Sequence, residues 1–137
     1  MTRLRDMGLE PFLISSSLQG ILAQRLVRRL DPETYEAYSP GEYECGLLGT
    51  SSREAPTLYR PGTVASADGG GYRGRTGIYE LVRVDDRLRK LIHDGAPEQQ
   101  LEEEVRRSTP ALRSNGLDKV RKGITSLEEV MRVTSED

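Results

Sequence analysis

The apolar positions of this chain alternate between helical and strand-like spacing, and the changes mark its elements. Residues 2–7, Thr-Arg-Leu-Arg-Asp-Met, stop at Gly8 after less than two helical turns. A stretch that short does not hold by itself, so it reads as the end of a longer helix begun upstream, with Met1 an added start. Pro11 suits a first helical position, and Leu13, Ile14 and Leu18 recur at helical spacing up to Gly20. From Ile21 to Leu30 the stretch is strand-capable at Ile21 and Val27 but also helix-capable, and a strand after Gly20 is the favoured reading. Residues 31–71 hold four of the seven prolines and a Gly-Gly-Gly run at 69–71. That punctuation permits only a short helix near 41–48, a short strand at 57–60 and a mobile loop at 61–71. Ile78, Leu81, Val82 and Val84 predict a strand entered from a loop at 72–77.

The last third is helical in four capped segments. Asp85-Asp86 precedes Leu88, Leu91 and Ile92, with Gly95 as the stop. Pro97 opens a segment with Leu101 and Val105, and Thr109-Pro110 opens one with Leu112, Leu117 and Val120. Thr125-Ser126-Leu127-Glu128 reads as a capping box ahead of Val130 and Met131. Four short amphipathic helices joined by tight turns predict a compact small bundle.

Composition narrows the function classes. Twenty basic residues face twenty-two acidic ones, without the basic excess of a charge-driven nucleic-acid binder. No apolar run approaches the ~20 residues needed to cross a bilayer, and charges at 3, 5 and 6 interrupt any signal-peptide core. With a single cysteine, Cys45, no internal disulfide or multi-cysteine zinc site is possible, and the cytoplasm is the expected compartment.

Candidate chemistry is sparse. His93, the one histidine, sits beside a helix C-terminus, where its charged form complements the helix dipole. Cys45 reads as a half-buried structural thiol. Glu102, Glu103 and Glu104 point around their helix, and Glu102–Arg106 and Glu103–Arg107 have the spacing of surface ion pairs. No catalytic residue and no metal ligand set is expected. The glycine-rich stretch 69–77 includes Tyr72-Arg73-Gly74-Arg75-Thr76-Gly77. It can serve as an anion contact or as a plain flexible turn, and it lacks the Gly-x-x-x-x-Gly-Lys-[Ser/Thr] of a phosphate loop.

Several blocks recur together in one known family: Arg-Asp-Met-Gly-Leu-Glu-Pro-Phe (5–12), Leu-Ala-Gln-Arg-Leu-Val-Arg (22–28), Gly-Tyr-Arg-Gly-Arg-Thr-Gly-Ile-Tyr-Glu-Leu (71–81), Asn-Gly-Leu-Asp-Lys-Val (115–120) and Gly-Ile-Thr-Ser-Leu-Glu-Glu-Val-Met-Arg-Val-Thr (123–134). In this order and spacing they resemble the C-terminal part of the type II secretion ATPase, within the superfamily of type II/IV secretion and type IV pilus ATPases. The resemblance implies an α+β, mainly helical chain. Residues 1–30 would be the tail of a RecA-like ATPase domain, 31–84 a small inserted irregular β module, and 85–137 a C-terminal four-helix subdomain. It implies a homo-hexameric ATPase that uses ATP and Mg and is cytoplasmic. That ATPase would sit peripherally at the inner membrane against the platform proteins of the secretion machine, with no nucleic-acid partner and no membrane insertion. Its phosphate loop and acidic boxes would lie upstream, so these residues alone should be inactive.

Many members carry two Cys-x-x-Cys pairs that bind a structural zinc in the inserted module. Here the pairs fall on Asp31 and Thr34 and on Val64 and Ala67, which predicts a zinc-less module and makes 31–71 the least ordered part. The resemblance also places Arg3 and Arg75, with Arg73 beside the latter, near the nucleotide or a subunit interface. The alternative is a free-standing helical protein-interaction module with no nucleotide role. A phosphate loop in the upstream reading frame would decide between the two.

Overall fold

The computed structural model describes residues 4, 6–62 and 70–135. In chain order the elements are α1 (Pro11–Ser17), β1 (Gly20–Leu30), β2 (Glu36–Tyr38), α2 (Glu42–Leu48), a short 3-10 turn at Ser52–Glu54, β3 (Leu58–Arg60), β4 (Tyr72–Arg83), α3 (Asp86–His93), α4 (Glu98–Arg106), α5 (Leu112–Arg121) and α6 (Leu127–Thr134). The class is α+β. β1 pairs with β4 as one ribbon, and β2 pairs with β3 as another. The predicted strand after Gly20, the helix at 41–48, the strand near 57–60 and all four late helices are present. β2 is an addition: its three residues are too few to show a period, and pairing with β3 creates it, with Glu36 opposite Arg60 and Tyr38 opposite Leu58. The mobile loop expected at 61–71 falls largely on 63–69, outside the described residues.

The chain forms two compact units. One is Met1–Ala23 with Glu80–Ala111, the other Gln24–Tyr79 with Leu112–Asp137. These boundaries do not follow the sequence segments 1–30, 31–84 and 85–137, and the four late helices do not gather into one bundle. α3 and α4 belong to the first unit, α5 and α6 to the second. The cause lies in the long strands. Val82 and Val84 near the end of β4 share a core with Leu88 and Ile92 of α3 and Leu101 and Val105 of α4. Val27 of β1 and Ile78 of β4 share a separate core with Leu117 and Val120 of α5 and Leu127 and Val130 of α6. Each helix pair therefore buries its apolar stripe on a different stretch of strand.

In the first unit, Asp85 caps α3 by accepting from the backbone N–H of Leu88 at 2.8 Å. Gly95 ends the turn beyond α3 with φ 71°. Arg89 of α3 donates to the carbonyls of Ser15 and Leu18, at the end of α1, and to that of Val84. It thus satisfies carbonyls that α1 leaves open at its C-terminus.

In the second unit α5 and α6 approach closely at Gly116. A Cβ there would stand 2.7 Å from Cγ1 of Val130, which is fully buried and stiff at χ1. Gly116→Ala gains up to about 1 kcal/mol of helix propensity but overpacks at a cost of about 1–3 kcal/mol. It is expected to lower the melting temperature. Combination with Val130→Ala, which vacates that volume, should make the added methyl favourable rather than costly. A thermal-unfolding cycle over the four proteins measures this.

Candidate functional site

The arginines singled out in the sequence sit on the ribbon itself. β4 begins at Tyr72, so Arg73 and Arg75 lie within a strand and not in the loop predicted at 72–77. Two hydrogen bonds fix the pairing: Val84 N to Gln19 O at 3.1 Å and Asp31 N to Gly71 O at 3.1 Å. From 19 to 31 is twelve steps and from 71 to 84 thirteen, so β4 carries one extra residue in an antiparallel ladder. Gly74, with φ 78°, is the strand residue whose backbone suits such a bulge. Arg73 and Arg75 flank it. Both side chains are exposed, and neither has an ion-pair partner among the described residues. Arg29 of β1, also exposed, passes the same spot, its Cδ 3.9 Å from the place a Cβ on Gly74 would take.

Beneath this surface lies a buried polar network. Glu129 of α6, 1% exposed, receives five hydrogen bonds. Arg28 donates its backbone N–H at 2.8 Å, Nε at 3.2 Å and Nη2 at 3.1 Å. Arg132 adds Nε at 3.0 Å and Nη2 at 3.1 Å. Burial alone would push the Glu129 carboxyl upward; the Arg28 side chain, its backbone N–H and Arg132 outweigh this and hold it below the usual range. The Arg28 guanidinium also lies 4.2 Å from the centre of the Tyr72 ring. The Tyr72 hydroxyl shares a 2.6 Å hydrogen bond with Ser126 Oγ, and burial raises its pKa.

Sequence reasoning placed the cap of α6 one residue early. Ser126, not Thr125, is the N-cap, and it accepts from Glu129 N at 3.1 Å. Thr125 instead donates its hydroxyl to Arg28 O at 2.7 Å. Ser126-Leu-Glu-Glu129 is also a Ser-x-x-Glu match, so the sequence held a signal for the residue that became the centre of the network. Its partner Arg28, a hundred and one positions away, had none.

The other candidates resolve separately. Arg3 lies outside the described residues. His93 ends α3 and meets the Phe12 ring edge-on at 6.0 Å. Cys45 is fully rather than half buried, its thiol facing the Pro40 carbonyl at 3.8 Å. Glu102 does meet Arg106, at 3.5 Å, but Arg106 makes its closer bonds to Glu80 at 3.1 Å. Arg107 pairs with Glu104, not Glu103, at 3.6 Å, and Glu104 also faces Arg87 at 3.4 Å. Two arginines thus converge on the less exposed carboxylate.

The positions aligned with the family's zinc ligands do not suit the metal. The Asp31 carboxylate accepts from Glu33 N at 3.0 Å within its own turn. The Thr34 hydroxyl is buried without a partner. Val64 and Ala67 have no donor atom and lie outside the described residues. Among the described residues no three His, Cys, Asp or Glu side chains converge to hold a metal.

The chain belongs to the type II/IV secretion system protein family, whose model matches residues 1–132. It is 57% identical over 136 residues to the type II secretion system ATPase E of Vibrio cholerae, covering 99% of this chain and 27% of that protein. Against the type II secretion system protein E of Pseudomonas aeruginosa identity is 52% over 137 residues, covering 100% of this chain and 27% of the relative. Against that of Aeromonas hydrophila it is 48%, with the same coverage. The chain therefore spans about a quarter of the length of these relatives. No helix among the described residues is long and apolar enough to cross a membrane.

Proposed function

We propose that these residues are the C-terminal portion of a hexameric ATPase that powers protein export by a type II secretion system. They would turn ATP binding and hydrolysis elsewhere in the protein into work on inner-membrane platform proteins. In this reading residues 1–30 close a RecA-like domain, and the protein works from the cytoplasm, peripheral to the inner membrane. ATP and Mg bind the whole protein, while this portion carries no zinc and no catalytic group of its own. Arg73 and Arg75, with Arg3, face nucleotide phosphates or carboxylates across a subunit interface.

The observation that carries the proposal is the exposed pair Arg73 and Arg75 at the Gly74 bulge, without acidic partners among the described residues and on a strand anchored from below. A planar, permanently charged group held out on a rigid strand suits an anion. Similarity to a secretion ATPase over nearly the whole chain supports the choice of anion.

The test is Arg75→Ala in the full-length ATPase. Turnover should fall, by less than the ~10³–10⁵-fold loss of a true arginine finger. The melting temperature should hold, because exposed substitutions usually stay within about 0.5 kcal/mol. Normal turnover with a large thermal shift would make Arg75 a structural residue and end this reading of the ribbon.

A further inference from the structure

We infer that Arg29 joins Arg73 and Arg75 as a third anion-binding arginine at the Gly74 bulge, and that the group the three hold is the polyphosphate of a nucleotide. The inference rests on the nucleotide-facing role proposed above and adds a residue to it. Asp31 N donates to Gly71 O, so two steps back along β1 and two forward along β4 set Arg29 directly opposite Arg73. Directly opposed residues of an antiparallel pair present their side chains on one face, with Cβ atoms roughly 5 Å apart. The stem of Arg29 also runs beside Gly74, its Cδ 3.9 Å from the place of the missing Cβ, and Arg75 is the next residue along β4. All three arginines are exposed.

Like charges set directly opposite each other destabilise a strand pair, so the stability of the ladder does not account for Arg29 facing Arg73. Among the described residues none of the three arginines forms an ion pair. The buried carboxylate of Glu129 is already shared by Arg28 and Arg132. The whole chain carries a net charge of −2, so the positive excess at the bulge is local. A surface patch of one sign concentrates the opposite ion. One carboxylate can satisfy one guanidinium in the two-bond geometry that arginine favours, whereas a polyphosphate offers enough anionic oxygens for several. Three unneutralised guanidinium groups around one turn of strand therefore suit the polyphosphate.

The experiment is Arg29→Gln in the full-length ATPase beside Arg75→Ala, with kcat, KM for ATP, hexamer assembly and melting temperature measured on each. Glutamine keeps a polar side chain on the strand and removes the charge. KM for ATP should rise about 3-fold to 10-fold with kcat within about 2-fold of wild type, the pattern of a lost binding contact. The melting temperature should hold or rise, because the substitution breaks up a like-charge pair. An unchanged KM would overturn the assignment of Arg29, even where Arg75→Ala is impaired. So would a lowered melting temperature with normal turnover per folded protein, or weaker assembly at unchanged KM, which would make its partner a carboxylate of the neighbouring subunit. Wild-type turnover in Arg75→Ala would instead overturn the nucleotide-facing reading, and the inference with it.

Discussion

Glu129→Ala should lower the stability of the chain by about 3 kcal/mol, or roughly 10 °C in melting temperature. The carboxylate is 1% exposed and collects five hydrogen bonds. Its removal strands the Arg28 backbone N–H at the strand edge, which by itself costs about 1–3 kcal/mol. The two guanidinium groups left behind are 45% and 60% exposed, so water takes up part of their charge and keeps the loss near the low end for a broken buried pair. Glu129→Gln retains an acceptor for that N–H and should lose less. The carboxyl's pKa is lower in the folded chain than its ordinary value of about 4.3, so its ionisation stabilises the fold. That contribution is fully present above the ordinary value and disappears as the pH falls through the lower, folded one. Denaturant unfolding from pH 7 down to about 3 should therefore show an acid limb that is shallower in Glu129→Gln.

Gly62→Ala should be at least as damaging, although it adds one methyl group to a loop. A Cβ at Gly62 would run into the backbone carbonyl of Thr34, which no rotamer change can clear. Thr34 is held in place because its N–H donates to Asp31 O at 3.1 Å and the next N–H, from Tyr35, to the same oxygen at 2.8 Å. Tyr35 in turn stacks on Tyr59 at 4.4 Å between ring centres. Gly71 closes the same corner, with the site of its missing Cβ 2.6 Å from Pro61 Cβ and its carbonyl bonded to Asp31 N. Residues 31–35 are thus tied to 59–62 and 71 by backbone contact and ring stacking. Overpacking against backbone should cost about 3 kcal/mol, the upper end of the usual range. Thermal unfolding of Gly62→Ala beside Gly41→Ala, which meets nothing within 4 Å, isolates the steric part. Equal melting temperatures would show that this corner yields.

Much of this architecture was legible locally. Pro11 opening a helix, Asp85 capping another, and Leu88 with Ile92 or Leu101 with Val105 forming stripes all depend on a few neighbouring residues, and each element formed where those residues placed it. The five family blocks likewise sufficed to name the family to which the chain belongs. Arg73 and Arg75 could be picked out by their glycines, and both are exposed. Only the tertiary structure decided the rest. Strand lengths of eleven and twelve residues allowed β1 and β4 to serve two cores, dividing helices that sequence order would group together. The bulge at Gly74 is defined by register against a partner strand, so no local pattern shows that Arg73 and Arg75 leave from a strand. Glu129 reads as an ordinary first-turn glutamate until Arg28 arrives from the far end of the sequence. Charge burial is a property of what folds over a residue, and that is settled by long-range packing rather than by the residue and its neighbours.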